Sequence, residues 1–119
     1  MKTVLVVDDE YDLLYTICAT LEFGGYRPVP AENGPMALEK IAQARPDLVL
    51  TDVMMPYMSG YDLVAAIRQL PEGADLPAII MSAIDPRMHP GGAWDRVLAK
   101  PFSLDKLLEA VEGVIGKPE

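Results

Sequence analysis

Short apolar runs, separated by stretches with helical spacing, constrain the fold of this chain more than any other feature. Each run is too short for a helix and ends at a polar or charged residue. Such runs are typical of strands that are buried on both faces of a sheet. The four runs are Thr3–Val7, Leu48–Asp52, Ala78–Met81 and Val97–Ala99.

The alternation of strands and helices predicts an α/β domain with a parallel sheet and right-handed crossovers. A fifth segment, Arg27–Ala31, contains Pro28 and Pro30, which lack the N–H groups that a central strand needs. This strand must therefore lie at an edge. The flavodoxin-like, doubly wound order 2-1-3-4-5 places it there and puts the switch point between strands 1 and 3.

Length and charge exclude several classes of protein. The 119 residues predict one domain, residues 1–119, with a single core. The net charge is −8, and no basic run favours direct binding of nucleic acid. No apolar run is long enough to span a membrane. A single cysteine, Cys18, favours a cytoplasmic location and is expected to be a packing residue rather than a nucleophile.

Strands 1, 3, 4 and 5 are successive neighbours in the predicted sheet, and each is followed by a reactive polar side chain. The side chains are Asp8 and Asp9, Asp52, Ser82 and Lys100. Because neighbouring strands lie about 4.8 Å apart, these side chains are expected to converge on one small ligand. Taken singly, each has an ordinary explanation as a helix cap, a turn residue or a solvated lysine. Their joint position at four strand ends favours a functional site.

The predicted cluster suits phosphoryl chemistry. Three carboxylates repel one another, and a hard cation that prefers oxygen ligands, such as Mg²⁺, relieves that repulsion. Lys100 adds a positive charge, so that a phosphoryl group fits between metal and ammonium. Asp52 is the predicted nucleophile, and Ser82 is placed to donate a hydrogen bond to a phosphoryl oxygen.

Five short motifs in order resemble those of two-component response-regulator receiver domains of the chemotaxis-regulator type. The resemblance covers nearly the whole chain. The motifs are Val6-Val7-Asp8-Asp9-Glu10, Thr51-Asp52-Val53-Met54-Met55-Pro56, Met58-Ser59-Gly60, Met81-Ser82-Ala83 and Lys100-Pro101-Phe102.

The resemblance implies a metal site and names its ligands. Asp9 and Asp52 would bind Mg²⁺ directly, together with the backbone carbonyl of Met54. Asp8 would reach the metal through water.

The resemblance also implies the phosphoryl chemistry. Asp52 would accept the phosphoryl group from a histidine kinase or a phosphotransfer protein. Ser82 would be the switch hydroxyl and Lys100 would pair with the phosphoryl group, with a Lys100-Pro101 peptide that is often cis. The domain would assist its own phosphorylation and dephosphorylation and signal by contact with a downstream protein, without being an enzyme for a separate substrate.

Two departures from the family pattern affect signal output. Val97 stands where the family usually has an aromatic residue three positions before the lysine. The segment 85–92 contains two prolines and two glycines, so the helix before the last strand is predicted to be missing or degenerate. A third observation concerns the lifetime of the phosphorylated state. The resemblance implies that Met54 and Ile84 flank the path of the attacking water. Because neither side chain can orient water, slow autodephosphorylation is expected.

Two other functions remain open from the sequence. The departures favour a phosphorylation-independent (pseudo-receiver) interaction module, which the intact acidic cluster disfavours. An aspartyl-phosphate phosphatase would need a second acid-base group near Asp52, and Met54 cannot serve as one.

Overall fold

The computed structural model describes residues 1–84 and 92–119, and five strands form one parallel sheet. The strand order is β2-β1-β3-β4-β5, which confirms the predicted flavodoxin-like topology. The strands are β1 (Thr3–Val7), β2 (Arg27–Ala31), β3 (Leu48–Asp52), β4 (Ala78–Ser82) and β5 (Arg96–Ala99).

Helices cover both faces of the sheet because the strand side chains alternate between the faces and are apolar on both. The helices are α1 (Tyr11–Phe23), α2 (Gly34–Gln43), α3 (Gly60–Arg68) and α4 (Leu104–Ile115), and a 3₁₀ turn spans Pro71–Gly73. On one face, α1 and α4 pack against Val4, Leu50 and Met81. On the other, α2 and α3 pack against Leu5 and Val49. Central strands that are apolar on both faces are therefore a direct consequence of the two helix layers.

The two prolines of β2 occupy the positions that face away from the sheet. Arg27 N donates to Lys2 O, and Asp8 N donates to Ala31 O, so residues 27 and 31 face β1. Alternate residues bond to the same neighbour in a parallel pair, so Pro28 and Pro30 face outward. This edge therefore presents no backbone N–H at either proline.

The predicted loss of a helix in the segment 85–92 falls almost entirely on residues 85–91, which lie outside the described residues. Four helices lie in the part of the chain that is described. None of those four helices has the length and apolar character needed to cross a membrane.

Candidate functional site

The sheet register brings the predicted site residues to one edge. Val7 of β1 lies beside Thr51 of β3, so that the next residues of the two strands, Asp8 and Asp52, are also neighbours. Asp52 pairs with Met81, which precedes Ser82 in β4. Ser82 in turn pairs with Ala99 of β5, the residue before Lys100. All four strand ends therefore meet, as the alternation of strands and helices predicts.

Three carboxylates form the acidic cluster of the site, which consists of Asp8, Asp9 and Asp52. One oxygen from each lies within 4.8 Å of the others. Asp8 is only 1 % exposed, whereas Asp9 is exposed and Asp52 is half-buried. Burial raises the pKa of Asp8, and a hydrogen bond from Glu10 N to Oδ1 (2.9 Å) opposes that rise, as does the charge of Lys100. Asp52 and Asp9 raise the pKa of Asp8 further by repulsion.

The second carboxylate oxygen of Asp8 lacks a hydrogen bond although it is buried. Asp8 Oδ2 is buried and accepts no hydrogen bond from any described residue. Lys100 Nζ lies 3.5 Å away. A buried carboxylate oxygen without a hydrogen bond is costly, so a cation in the cluster would satisfy it.

Lys100 joins two of the three carboxylates. Its ammonium donates to Asp52 Oδ1 at 3.1 Å and forms the ion pair with Asp8. Its backbone N–H donates to Ser82 O at 2.7 Å, which holds the end of β5 against the end of β4. The Lys100-Pro101 peptide is cis, as the family resemblance implies.

Backbone groups fix the position of Asp52. Val53 N donates to Asp52 Oδ1 at 2.9 Å, the same oxygen that Lys100 contacts. No described residue donates a hydrogen bond to Oδ2, so that oxygen is available to a ligand. The Thr51 hydroxyl donates to the backbone carbonyl of Asp52 at 2.9 Å.

Ser82 is buried at the end of β4, where the sequence places it. Its hydroxyl oxygen accepts a hydrogen bond from Ile84 N at 3.0 Å. Acceptance from a backbone N–H leaves the hydroxyl proton free to be donated to another group.

Val97 lies in β5 and packs with the buried residues Val64 and Ile80.

The loop after Asp52 contains a strained turn. Met58 N donates to Pro56 O at 2.9 Å across Tyr57, whose φ of 74° lies in the left-handed region. A turn of this kind is rare and strained for a residue other than glycine, and such strain clusters at functional sites. The Tyr57 side chain is 85 % exposed.

Gly60 lets α3 approach this loop closely. A Cβ at Gly60 would lie 2.2 Å from Asp52 O, and Gly60 N donates to Val53 O at 2.8 Å. Ser59 and Asp62 form a capping box that starts α3 at this point. The Met58-Ser59-Gly60 motif therefore has a structural role next to the site.

Comparison with known proteins identifies the family. The family model for the response regulator receiver domain matches residues 4–112. The chain therefore belongs to the response-regulator receiver domains of two-component signal transduction, a phospho-accepting family. Neither this match nor the intact acidic cluster supports the pseudo-receiver alternative.

Sequence relatives and solved structures agree with this assignment. Response regulator MprA of Mycobacterium sp. (strain KMS) is 36 % identical over 117 residues, which cover 94 % of this chain and 50 % of the relative. The chain thus spans about half the length of the curated relatives that it matches.

Two solved structures illustrate the similarity of fold. Chemotaxis protein CheY4 of Vibrio cholerae superposes with a TM-score of 0.91 at 31 % identity, covering 96 % of this chain and 98 % of that one. Response regulator TrrA of Thermotoga maritima, solved in complex with Mg²⁺ and BeF, has a TM-score of 0.86 at 34 % identity. That match covers 95 % of this chain and 98 % of TrrA.

Proposed function

We propose that Asp52 is the phospho-acceptor of this receiver domain. The observation that carries the proposal is the environment of its carboxylate. Carboxylate oxygens of Asp8 and Asp9 lie within 4.8 Å of one on Asp52, and Lys100 Nζ lies 3.1 Å from Asp52 Oδ1 and 3.5 Å from Asp8 Oδ2. A phosphoryl group on Oδ2 would lie between a cation site and an ammonium, which is the charge arrangement that its transfer requires.

The acidic cluster fits Mg²⁺ on chemical grounds. It offers hard oxygen donors, and the buried Asp8 Oδ2 has no hydrogen bond from a described residue. We propose that Asp9, Asp52 and the Met54 carbonyl bind the ion directly and that Asp8 binds through water. The bound ion would neutralise the charge that accumulates on the phosphoryl oxygens.

The remaining residues act on the phosphoryl group itself. An oxygen of the Asp52 carboxylate forms the new bond to phosphorus while the bond to the donor nitrogen or oxygen breaks. Lys100 pairs with the negative charge, and the Ser82 hydroxyl donates to a phosphoryl oxygen. The hydroxyl can donate in this way while its oxygen accepts from Ile84 N, because its proton takes no part in that contact.

The proposed context follows from the family. The donor is a histidine kinase or a phosphotransfer protein, and the output is contact with a downstream protein target in the cytoplasm. Residues 1–119 act as one domain, without direct contact to nucleic acid or membrane. The domain assists its own phosphorylation and dephosphorylation and has no separate substrate. The phosphatase alternative finds no support. It would need a second acid-base group near Asp52, and Met54, two residues further on, has none.

Intact-mass measurement tests the proposal. The chain is mixed with Mg²⁺ and acetyl phosphate, and the expected result is the gain of one phosphoryl group. The variant Asp52→Asn should gain none, whereas Asp47→Asn, which removes an exposed carboxylate after α2, should react like the parent chain. Equal gain by Asp52→Asn and the parent would refute the assignment of Asp52.

A further inference from the structure

A basic cleft lies between α2 and the start of β1 and β2. Its floor is formed by Leu5, Val29 and Pro46, and its rim carries the three cations Arg27, Lys40 and Arg45. The cleft has a volume of about 200 Å³. These three cations are not consecutive in the sequence, so no basic run marks the cleft.

The charge of the cleft is unusual for this chain. The whole chain has ten basic and eighteen acidic residues, yet three of the basic ones line this one cleft. None of the three forms an ion pair with a carboxylate of the described segments. Asp47 is close in sequence, but its Oδ2 accepts a hydrogen bond from Thr3 N at 2.7 Å. The three cations therefore have no ion-pair partner among the described residues, which leaves them available to an anion.

One of the cations is held in place. Arg45 Nε donates to Glu72 O at 2.9 Å, and Arg45 Nη1 donates to Pro46 O at 3.2 Å. A guanidinium has five N–H donors, so this anchoring still leaves donors for a ligand. An anchored guanidinium loses less side-chain entropy on binding an oxyanion than a free one does.

We propose that this cleft binds a small amphipathic oxyanion, a carboxylate or phosphate monoester that carries a short apolar body. The anionic group pairs with Arg27, Lys40 and Arg45, and the apolar body lies on the half-buried Val29. The volume is below the range of drug-sized ligand sites, which favours a small molecule.

The structure disfavours larger occupants of the cleft. A peptide that added a strand to β2 would need N–H donors along the edge, and Pro28 and Pro30 supply none. Nucleic acid would meet a chain whose net charge is −8. The charge and the size of the cleft therefore favour a small anion.

The cleft is separate from the proposed phosphorylation site. Thr3 and Arg27 begin their strands, whereas Asp8, Asp9 and Asp52 lie at the opposite end of the sheet. Five residues of strand span roughly 16 Å. The inference does not depend on the role of Asp52, and the two can fail independently.

An NMR titration of the ¹⁵N-labelled chain tests the proposal. Phenyl phosphate, hexanoate and inorganic phosphate are each added without Mg²⁺ and with EDTA. The expected result is saturable shifts confined to the amides around Arg27, Lys40 and Arg45. Phenyl phosphate should bind about tenfold more tightly than inorganic phosphate, because its ring buries apolar area on the floor. Equal affinity for the two phosphates, or no saturation by about 20 mM of any probe, would overturn the proposal.

Matched variants separate the cleft from overall charge. Arg27→Gln combined with Lys40→Gln should weaken phenyl phosphate binding by about tenfold, since two of the three cations are lost. Lys106→Gln combined with Lys117→Gln removes the same charge elsewhere and should leave binding unchanged. Equal weakening by both pairs would refute a defined site. Arg27→Gln alone, at an exposed position, gives a second test, and all variants should retain phosphorylation at Asp52.

Discussion

Burial controls the chemistry of Cys18, which lies on the inner face of α1. Burial, followed by the nearby charge of Glu22, raises the pKa of its thiol to about 11. The thiolate is the reactive form, so the native protein should react with a disulfide reagent at pH 8 roughly 100-fold more slowly than the unfolded chain. The rate should rise with pH toward the raised pKa. Equal rates in the presence and absence of denaturant would contradict this packing role.

Two exposed apolar residues follow Asp52, the proposed phospho-acceptor, and Ser82, the proposed switch hydroxyl, each by two positions. Met54 is 77 % exposed and Ile84 is 51 % exposed, and neither side chain can orient an attacking water. We therefore expect slow loss of the phosphoryl group from the purified protein. Met54→Asn supplies a hydrogen-bonding group, and one hydrogen bond to the water, worth about 1 kcal/mol, should raise the rate several-fold.

The decay of phosphoprotein after removal of donor measures this rate, with Met54→Leu as the apolar control. Rapid decay in the parent chain, unchanged in Met54→Asn, would show that these positions do not set the lifetime.

At the scale of elements, α3 is positioned by Gly60. A Cβ there would lie 2.2 Å from backbone Asp52 O, which cannot move aside without disturbing β3. Gly60→Ala should lower the free energy of unfolding by about 1–3 kcal/mol, the usual cost of overpacking. It should also slow phosphorylation, because the crowded carbonyl belongs to Asp52, the proposed phospho-acceptor.

Gly113 provides the control for this prediction. A Cβ there would meet only Arg96 Nη1, at 2.7 Å, at the far end of a flexible side chain. Gly113→Ala should therefore stabilise α4 by up to about 1 kcal/mol through helix propensity. Urea unfolding of the two variants checks both signs, and destabilisation by Gly113→Ala alone would contradict the packing described.

The prolines of β2 protect an edge. Replacing Pro28 and Pro30 by Val places two N–H donors on the open side of the strand and removes a barrier to edge-to-edge pairing. We expect concentration-dependent association of the double variant in sedimentation experiments. Pro71→Val is the control, because it adds an N–H in the 3₁₀ turn, away from the sheet edge. Its sedimentation should be the same as that of the parent chain. A double variant with unchanged sedimentation would show that the prolines do not protect this edge.

At the scale of the whole molecule, the sequence predicts the topology because two signals agree. Short apolar runs define the strands, and Pro28 and Pro30 permit only an edge position for β2. Since the order 2-1-3-4-5 of flavodoxin-like folds satisfies both signals, the convergence of Asp8, Asp52, Ser82 and Lys100 could be predicted without coordinates.

Contacts made by the backbone and by distant residues could not be predicted in this way. Three features depend on the exact path of the backbone, which no periodicity in the sequence encodes. They are the hydrogen bond from Val53 N to Asp52 Oδ1, the turn at Tyr57 and the close approach of Gly60 to Asp52 O. The basic cleft could not be predicted for a related reason, since Arg27, Lys40 and Arg45 line one cleft only after the chain has folded.

Chemical mapping of the modified residue tests the central claim most directly. The protein is phosphorylated with Mg²⁺ and acetyl phosphate, then reduced with borohydride, which converts an aspartyl phosphate to homoserine. Peptide mass spectrometry then locates the product. The account predicts homoserine at position 52, with Asp8 and Asp9 unmodified. Homoserine at position 8 or 9, or its absence despite an Mg²⁺-dependent phosphoryl gain, would contradict it.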